Sequence, residues 1–210
     1  MSFGKPGLQR IGAWVDERLH AVDLYEHSAG HQIPFTSASW WYVFGSGTLV
    51  CFMLQILTGI CLALIYVPSP DEAYASIEYL TYVQTMGWFL RGLHNWGSVF
   101  MVGLLTIHVI QVFLFGAYKY PRELTWLVGC VLFLLTLAAA FSGQIMRFDQ
   151  DAYWGLQIMI SITGRIPLVG AALGDFIQGG PIIGAATLSR FFGLHVFLIP
   201  GLLIVGIMVH

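Results

Sequence analysis

Residues 91–119 read RGLHNWGSVFMVGLLTIHVIQVFLFGAYK, and the 27 positions between Arg91 and Lys119 hold no Asp, Glu, Lys or Arg. A helix needs about 20 predominantly apolar residues to cross hydrocarbon, so this stretch is long enough to span a bilayer. It carries two ionisable side chains, His94 and His108. At about 100° per residue their separation of 14 falls about 40° short of four full turns, which puts both on one face, about 21 Å apart along the axis. An ionisable ring inside a membrane is costly and by default faces a partner within a bundle. One such histidine is as readily a neutral ring bonded to a neighbouring helix, but two on one face, matched by a second pair elsewhere, point to a function.

The second pair is His195 and His210, in SRFFGLHVFLIPGLLIVGIMVH (189–210), with Pro200 between them. Their spacing is 15 rather than 14. A proline inside a helix removes a backbone hydrogen bond and bends the axis, so the extra residue can be absorbed with the rings still aligned. Two helices that each present two histidines four turns apart suit two flat cofactors stacked across the membrane. Neutral imidazole on both faces of an iron porphyrin leaves no open coordination position, which fits electron transfer rather than oxygen binding or bond cleavage. With four spans the second and fourth run parallel, so His94 pairs with His195 and His108 with His210. Two glycine pairs, Gly45 with Gly59 and Gly129 with Gly143, repeat the spacing of 14. Glycine in membrane helices permits close packing; the sharper expectation is room for the faces or edges of two macrocycles.

Composition agrees with a membrane protein. Of 210 residues 57% are hydrophobic and 10% charged, with mean hydropathy +0.76, too apolar for a soluble domain with one core. The expected fold is an all-α, integral membrane four-helix bundle over 1–210, with spans at 39–66, 91–117, 124–146 and 189–210. Leu8, Ile11, Val15, Leu19 and Val22 recur at three- and four-residue steps, which predicts an amphipathic surface helix over 8–27; His20, His27 and His31 belong to this polar region as solvated side chains. Trp40, Trp41, Tyr42 and Tyr66 are interfacial aromatics, and Pro68 and Pro70 stop the first span. Residues 71–87 form an acidic connector. Pro121 and Glu123 suit the start of the third helix. Residues 147–188 form a structured outer loop, with a short surface helix at 151–160; loops of that length are usually functional.

Other features narrow the function by exclusion. The first residues lack an apolar stretch of the kind a cleaved signal peptide needs. Cys51, Cys61 and Cys130 lie in apolar stretches as small hydrophobes, and no CxxCH is present. No basic run suggests nucleic acid as a partner. Arg91 and Arg190 precede ligand candidates and suit haem propionates. With those two set aside, Lys5, Arg10, Arg18, Lys119 and Arg122 outweigh Arg147 and Arg165, which favours a cytoplasmic N-terminus.

RGLHNWGSV, the H-x13-H of the second span, PRELTW (121–126), FDQDAYWG (148–155) and TLSRFFGLHVF resemble the N-terminal, haem-binding half of cytochrome b, the core of quinol:cytochrome c and quinol:plastocyanin oxidoreductases. The 15-residue spacing in the last span is similar to that of the split, b6-type protein. The resemblance implies two non-covalent b haems, with His94 and His195 on an outer iron and His108 and His210 on an inner one. It also implies quinol and quinone as substrates, Tyr153, Trp154 and Gly155 beside the outer quinol site, Arg91 and Arg190 at the outer propionates, and Trp126 at the inner haem. Implied partners are a Rieske iron-sulfur protein, a c-type cytochrome, the C-terminal cytochrome b half or an equivalent subunit, membrane lipid and a second copy of the complex, in an energy-coupling membrane. The isolated chain is not expected to turn over.

The pattern departs from the family in four places. Met146, Arg147 and Phe148 stand where a Leu-Pro-Trp is common. Gln111 occupies a position that often carries Arg, and Val43 the position of the cysteine that tethers an extra haem, so no covalent haem forms there. The Pro-Glu-Trp-Tyr segment of the outer site belongs to the C-terminal half. Two other classes compete: a di-haem membrane anchor of a quinone-linked dehydrogenase or hydrogenase, and a haem-free transporter bundle whose histidines relay protons. The loop over 147–190 favours the bc-type reading, in which it covers the quinol site.

Overall fold

The computed structural model describes residues 10, 13 and 39–210. The surface helix expected over 8–27, with His20, His27 and His31, lies outside the described residues apart from Arg10 and Ala13. Everything below concerns the compact unit Val43–His210 unless stated. Its regular secondary structure is all helical, and among the described residues four helices are long and apolar enough to cross a membrane.

The first, α1, runs Val43–Ala63 after a 3-10 turn at Trp40–Tyr42. It ends one turn earlier than the expected limit at 66. Tyr66 lies beyond it and donates its hydroxyl to the Met146 carbonyl at 2.7 Å, with its ring stacked 6.0 Å from Phe192. The acidic connector is more than a loop, because Ala73–Tyr82 forms α2. Ala73, Ile77 and Leu80 recur at helical steps, and both Ala73 and Leu80 are buried.

Helix α3 spans Gly87–Leu114, so it begins a full turn before Arg91 and stops short of the expected 117. Its entry is tight. Met86 sits at φ 60°, and a Cβ on Gly87 would lie 1.9 Å from the Leu80 carbonyl oxygen, so only glycine fits. Helix α4 covers Glu123–Met146 with Glu123 in its first turn, whereas Pro121 falls before the N-cap rather than inside the helix.

The outer segment folds into two helices. Gln150–Thr163 is α5, longer than the expected 151–160, capped by Asp149 accepting from the Ala152 amide at 2.9 Å. Gly170–Gln178 is α6, closed by Gly179 at φ 80°. The last span, α7, is Ala185–Val209 and starts a turn before the expected Ser189.

Inside α7 the backbone widens to π-helix at Leu194–Leu198, where the Ile199 amide bonds to the Leu194 carbonyl. Pro200 follows at once. Its ring would crowd the carbonyl four residues back in an α-helix, and the wider turn relieves that contact. A single π turn inserts one residue without changing the register of the flanking helix, so the 15 positions from His195 to His210 occupy the same four turns as 14 elsewhere.

The spans associate as two close pairs, α1 with α3 and α4 with α7. Between them Phe52 of α1, Met101 of α3, Leu132 of α4 and Ile199 and Leu203 of α7 form a buried apolar core. Phe52 falls midway between Gly45 and Gly59, and Met101 midway between His94 and His108. The core is therefore a plug across the middle of the bundle, with one histidine pair on each side. Outward-facing Leu57, Phe100, Phe113, Leu134 and Val205 stay exposed and apolar, as a surface against lipid requires.

Candidate cofactor sites

Helix register brings the histidines together across the bundle. His94 of α3 and His195 of α7 face each other with ring centroids 6.2 Å apart and planes at 74°. Two imidazoles that held one metal between them at about 2.0–2.1 Å, with each nitrogen about 1.15 Å from its ring centre, would set the centroids about 6.3–6.5 Å apart. The spacing fits one iron between them. At the other end, the His108 ring lies against Gly45 of α1 and the His210 ring against Gly129 of α4.

The rings are also oriented. Thr58 donates its hydroxyl to the Leu54 carbonyl at 2.6 Å, which leaves its oxygen to accept from His94 Nδ1 at 2.9 Å. Ser142 likewise donates to the Ala139 carbonyl, and His195 Nδ1 reaches both the Ser142 oxygen and that carbonyl at 3.0 Å. His210 Nδ1 donates to the Thr125 carbonyl at 3.1 Å. A proton held on Nδ1 leaves the Nε2 lone pair free, which is the tautomer a metal takes. Spacing arguments missed these residues. One signal was present: a small polar residue precedes the glycine at Thr58–Gly59 and Ser142–Gly143, though not at Phe44–Gly45 or Val128–Gly129.

Each of the four glycines lies against one imidazole. A Cβ would stand 3.2 Å from the nearest ring atom of His94 at Gly59, 2.7 Å from His195 at Gly143, 3.2 Å from His108 at Gly45 and 3.0 Å from His210 at Gly129. Each of the four glycines therefore makes room beside one of the four histidine rings. No group of three His, Cys, Asp or Glu gathers among the described residues. Two imidazoles alone make a poor site for a bare ion, but they fit a planar macrocycle that brings four equatorial donors of its own.

The remaining candidates sit around these pairs. Arg91 and Arg190 both have protein partners: Arg91 donates to the Thr81 hydroxyl at 2.7 Å, and Arg190 donates to the Phe176 carbonyl and lies 5.2 Å from that ring's centre. Trp126 is tilted against Tyr118 at 5.7 Å, and Tyr118 stacks on Phe113. Tyr153 packs edge-on to Phe148 in a second apolar cluster with Ile145, Leu156 and Phe191. Trp154 is exposed, its indole N–H on the Gln150 side chain at 3.0 Å. Gly155 has open space where a side chain would be.

Known proteins share this arrangement of helices. The family model described as Cytochrome b/b6/petB matches residues 31–210. Cytochrome b6 of Synechococcus sp. (strain JA-3-3Ab) is 37% identical over 203 residues, 97% of this chain and 94% of that protein. Cytochrome b6 of Prochlorococcus marinus (strain NATL1A) is 36% identical over 197 residues, 94% of this chain and 90% of the relative. A solved chain of a hyperthermophilic respiratory Complex III superposes with a TM-score of 0.85 at 30% identity over 94% of this chain, which spans 53% of that longer one. With facing histidines on the second and fourth spans, a matching family model and relatives this similar along nearly the whole length, the chain belongs to the cytochrome b/b6 family.

Proposed function

We propose that this chain carries electrons across an energy-coupling membrane through two non-covalent b haems, as the cytochrome b subunit of a quinol-oxidising bc-type complex. The observation that carries the proposal is the His94–His195 pair, spaced for one iron and oriented through both Nδ1 atoms. A bis-imidazole haem supplies one-electron chemistry with no open position for a substrate. The protein's part is to hold the rings and to keep the two sites apart, with the core around Phe52, Met101 and Leu203 between them.

Around the two histidine pairs, family likeness assigns further parts. Arg91 and Arg190 turn from Thr81 and Phe176 toward the outer propionates, and Trp126 packs beside the inner haem. Tyr153, Trp154 and Gly155 border the outer quinol pocket beneath α5. Quinol gives one electron to a Rieske iron-sulfur protein and through it to a c-type cytochrome, and the other to the haems, which pass it across the membrane to quinone. A C-terminal cytochrome b half, lipid and a second copy complete the assembly, with the N-terminus on the cytoplasmic side.

A reduced-minus-oxidised spectrum of the purified complex, with haem quantified per chain, tests the core of this reading. Two haems with sharp paired-imidazole bands are expected. A haem-free preparation would instead support a transporter bundle. The glycine contacts make a graded prediction. Gly143→Ala should damage haem binding most, because its Cβ would meet the His195 ring at 2.7 Å, inside van der Waals contact. Overpacking of this kind costs about 1–3 kcal/mol, and Gly45→Ala and Gly59→Ala, at 3.2 Å, should be milder. Equal haem retention in all three variants would remove the argument.

A further inference from the structure

Three of the four histidines have Nδ1 committed to an oxygen: His94 to Thr58, His195 to Ser142 and the Ala139 carbonyl, His210 to the Thr125 carbonyl. His108 is the exception, because its Nδ1 is buried with no hydrogen-bond partner. One turn further along α3, Gln111 is only 6% exposed and its Oε1 is also buried without a partner. Leaving a buried donor or acceptor unmatched costs about 1–3 kcal/mol per group. Residues three apart on a helix are neighbours on its surface, so the two unmatched groups lie on the same stretch of α3. Their chemistry is complementary, since an imidazole Nδ1–H can only donate and a carboxamide oxygen can only accept.

We propose that Gln111 is the positioning residue for His108: its Oε1 accepts the Nδ1 proton and so holds the tautomer that leaves Nε2 free to bind the inner haem iron. The inference rests on the two-haem reading above. It assigns Gln111 the part that hydroxyl and backbone oxygens play at the other three rings. A neutral carboxamide acceptor makes the imidazole moderately electron-rich. Removing the acceptor makes the ring a weaker donor and favours ferrous iron, whereas an ionised acceptor strengthens the donor and favours ferric iron.

The test compares Gln111→Leu and Gln111→Glu in the purified complex at alkaline pH, where the carboxylate is ionised. Haem content is measured first and then the midpoint of each haem by equilibrium redox titration. The inner midpoint should rise in Gln111→Leu and fall in Gln111→Glu, each by roughly a tenfold change in the ferric-to-ferrous preference, about 59 mV for one electron. The outer midpoint should stay fixed, since Thr58 and Ser142 are untouched. Opposite shifts from two substitutions at one buried site are not what a packing role produces. Inner midpoints that stay unchanged, that move in the same direction, or loss of the inner haem in both variants would overturn the assignment. A wild-type complex without haem would overturn the two-haem reading itself, which the haem assay reports separately.

Discussion

Alanine at His94 or His195 is expected to remove one haem and spare the other, halving the haem per chain, and alanine at His108 or His210 to remove the second. Each site offers two nitrogen donors, and no third His, Cys, Asp or Glu gathers with either pair among the described residues. A lost imidazole therefore has no substitute. The damage should stay local, because Phe52, Met101, Leu132, Ile199 and Leu203 separate the two pairs and tightly packed interiors relax little around a deletion. The measurement is a pyridine haemochrome assay joined to a redox titration, which identifies the survivor by its midpoint. His94→Ala and His195→Ala should keep the same haem, and His108→Ala and His210→Ala the other. If His94→Ala and His210→Ala proved to lack the same haem, the parallel arrangement of α3 and α7 would have to be abandoned.

How far the sequence discloses this molecule depends on the scale of the pattern. Four charge-free stretches and four histidines at four-turn spacing are long-range signals, and they were enough to expect four spans and the facing of His94 and His195. Boundaries shifted by up to a turn, because helix ends depend on local contacts such as Gly87 against the Leu80 carbonyl and Tyr66 on Met146. Helix α2 was missed because Asp71, Glu72 and Glu78 made a ten-residue helix look like a polar connector. Thr58 and Ser142 were missed for a different reason. A hydroxyl in an apolar helix usually bonds the carbonyl a turn behind it, and both do. That their oxygens also accept from His94 and His195 follows only from the packing of two helices. The arginines show the converse: a charge beside a ligand suggested a propionate, and the structure adds Thr81 and Phe176 as protein partners.

Inserting one alanine between Met101 and Val102 in α3 is expected to abolish the inner haem and leave the outer one, whereas removing one residue from the π turn of α7 should spare both. The reason is register. In a regular helix each residue adds about 100° and 1.5 Å, so the insertion swings His108 about 100° away from His210 while His94, before the insertion, stays in place. No adjustment of an iron–nitrogen bond absorbs that rotation. In α7 the extra residue is already absorbed by the π turn at Leu194–Leu198. Deleting exposed Phe197 together with Pro200→Ala removes both the inserted residue and the ring that needs the wider turn, leaving an ordinary helix with the two histidines 14 apart. The remaining cost is the loss of local packing, of the size expected for surface changes and not for a lost ligand. The check is haem stoichiometry with resolved midpoints in both variants. Retention of both haems by the α3 insertion would show that the helix can bulge wherever needed. Loss of the inner haem from the α7 deletion would show that the π turn sets the direction of His210 rather than only taking up one residue.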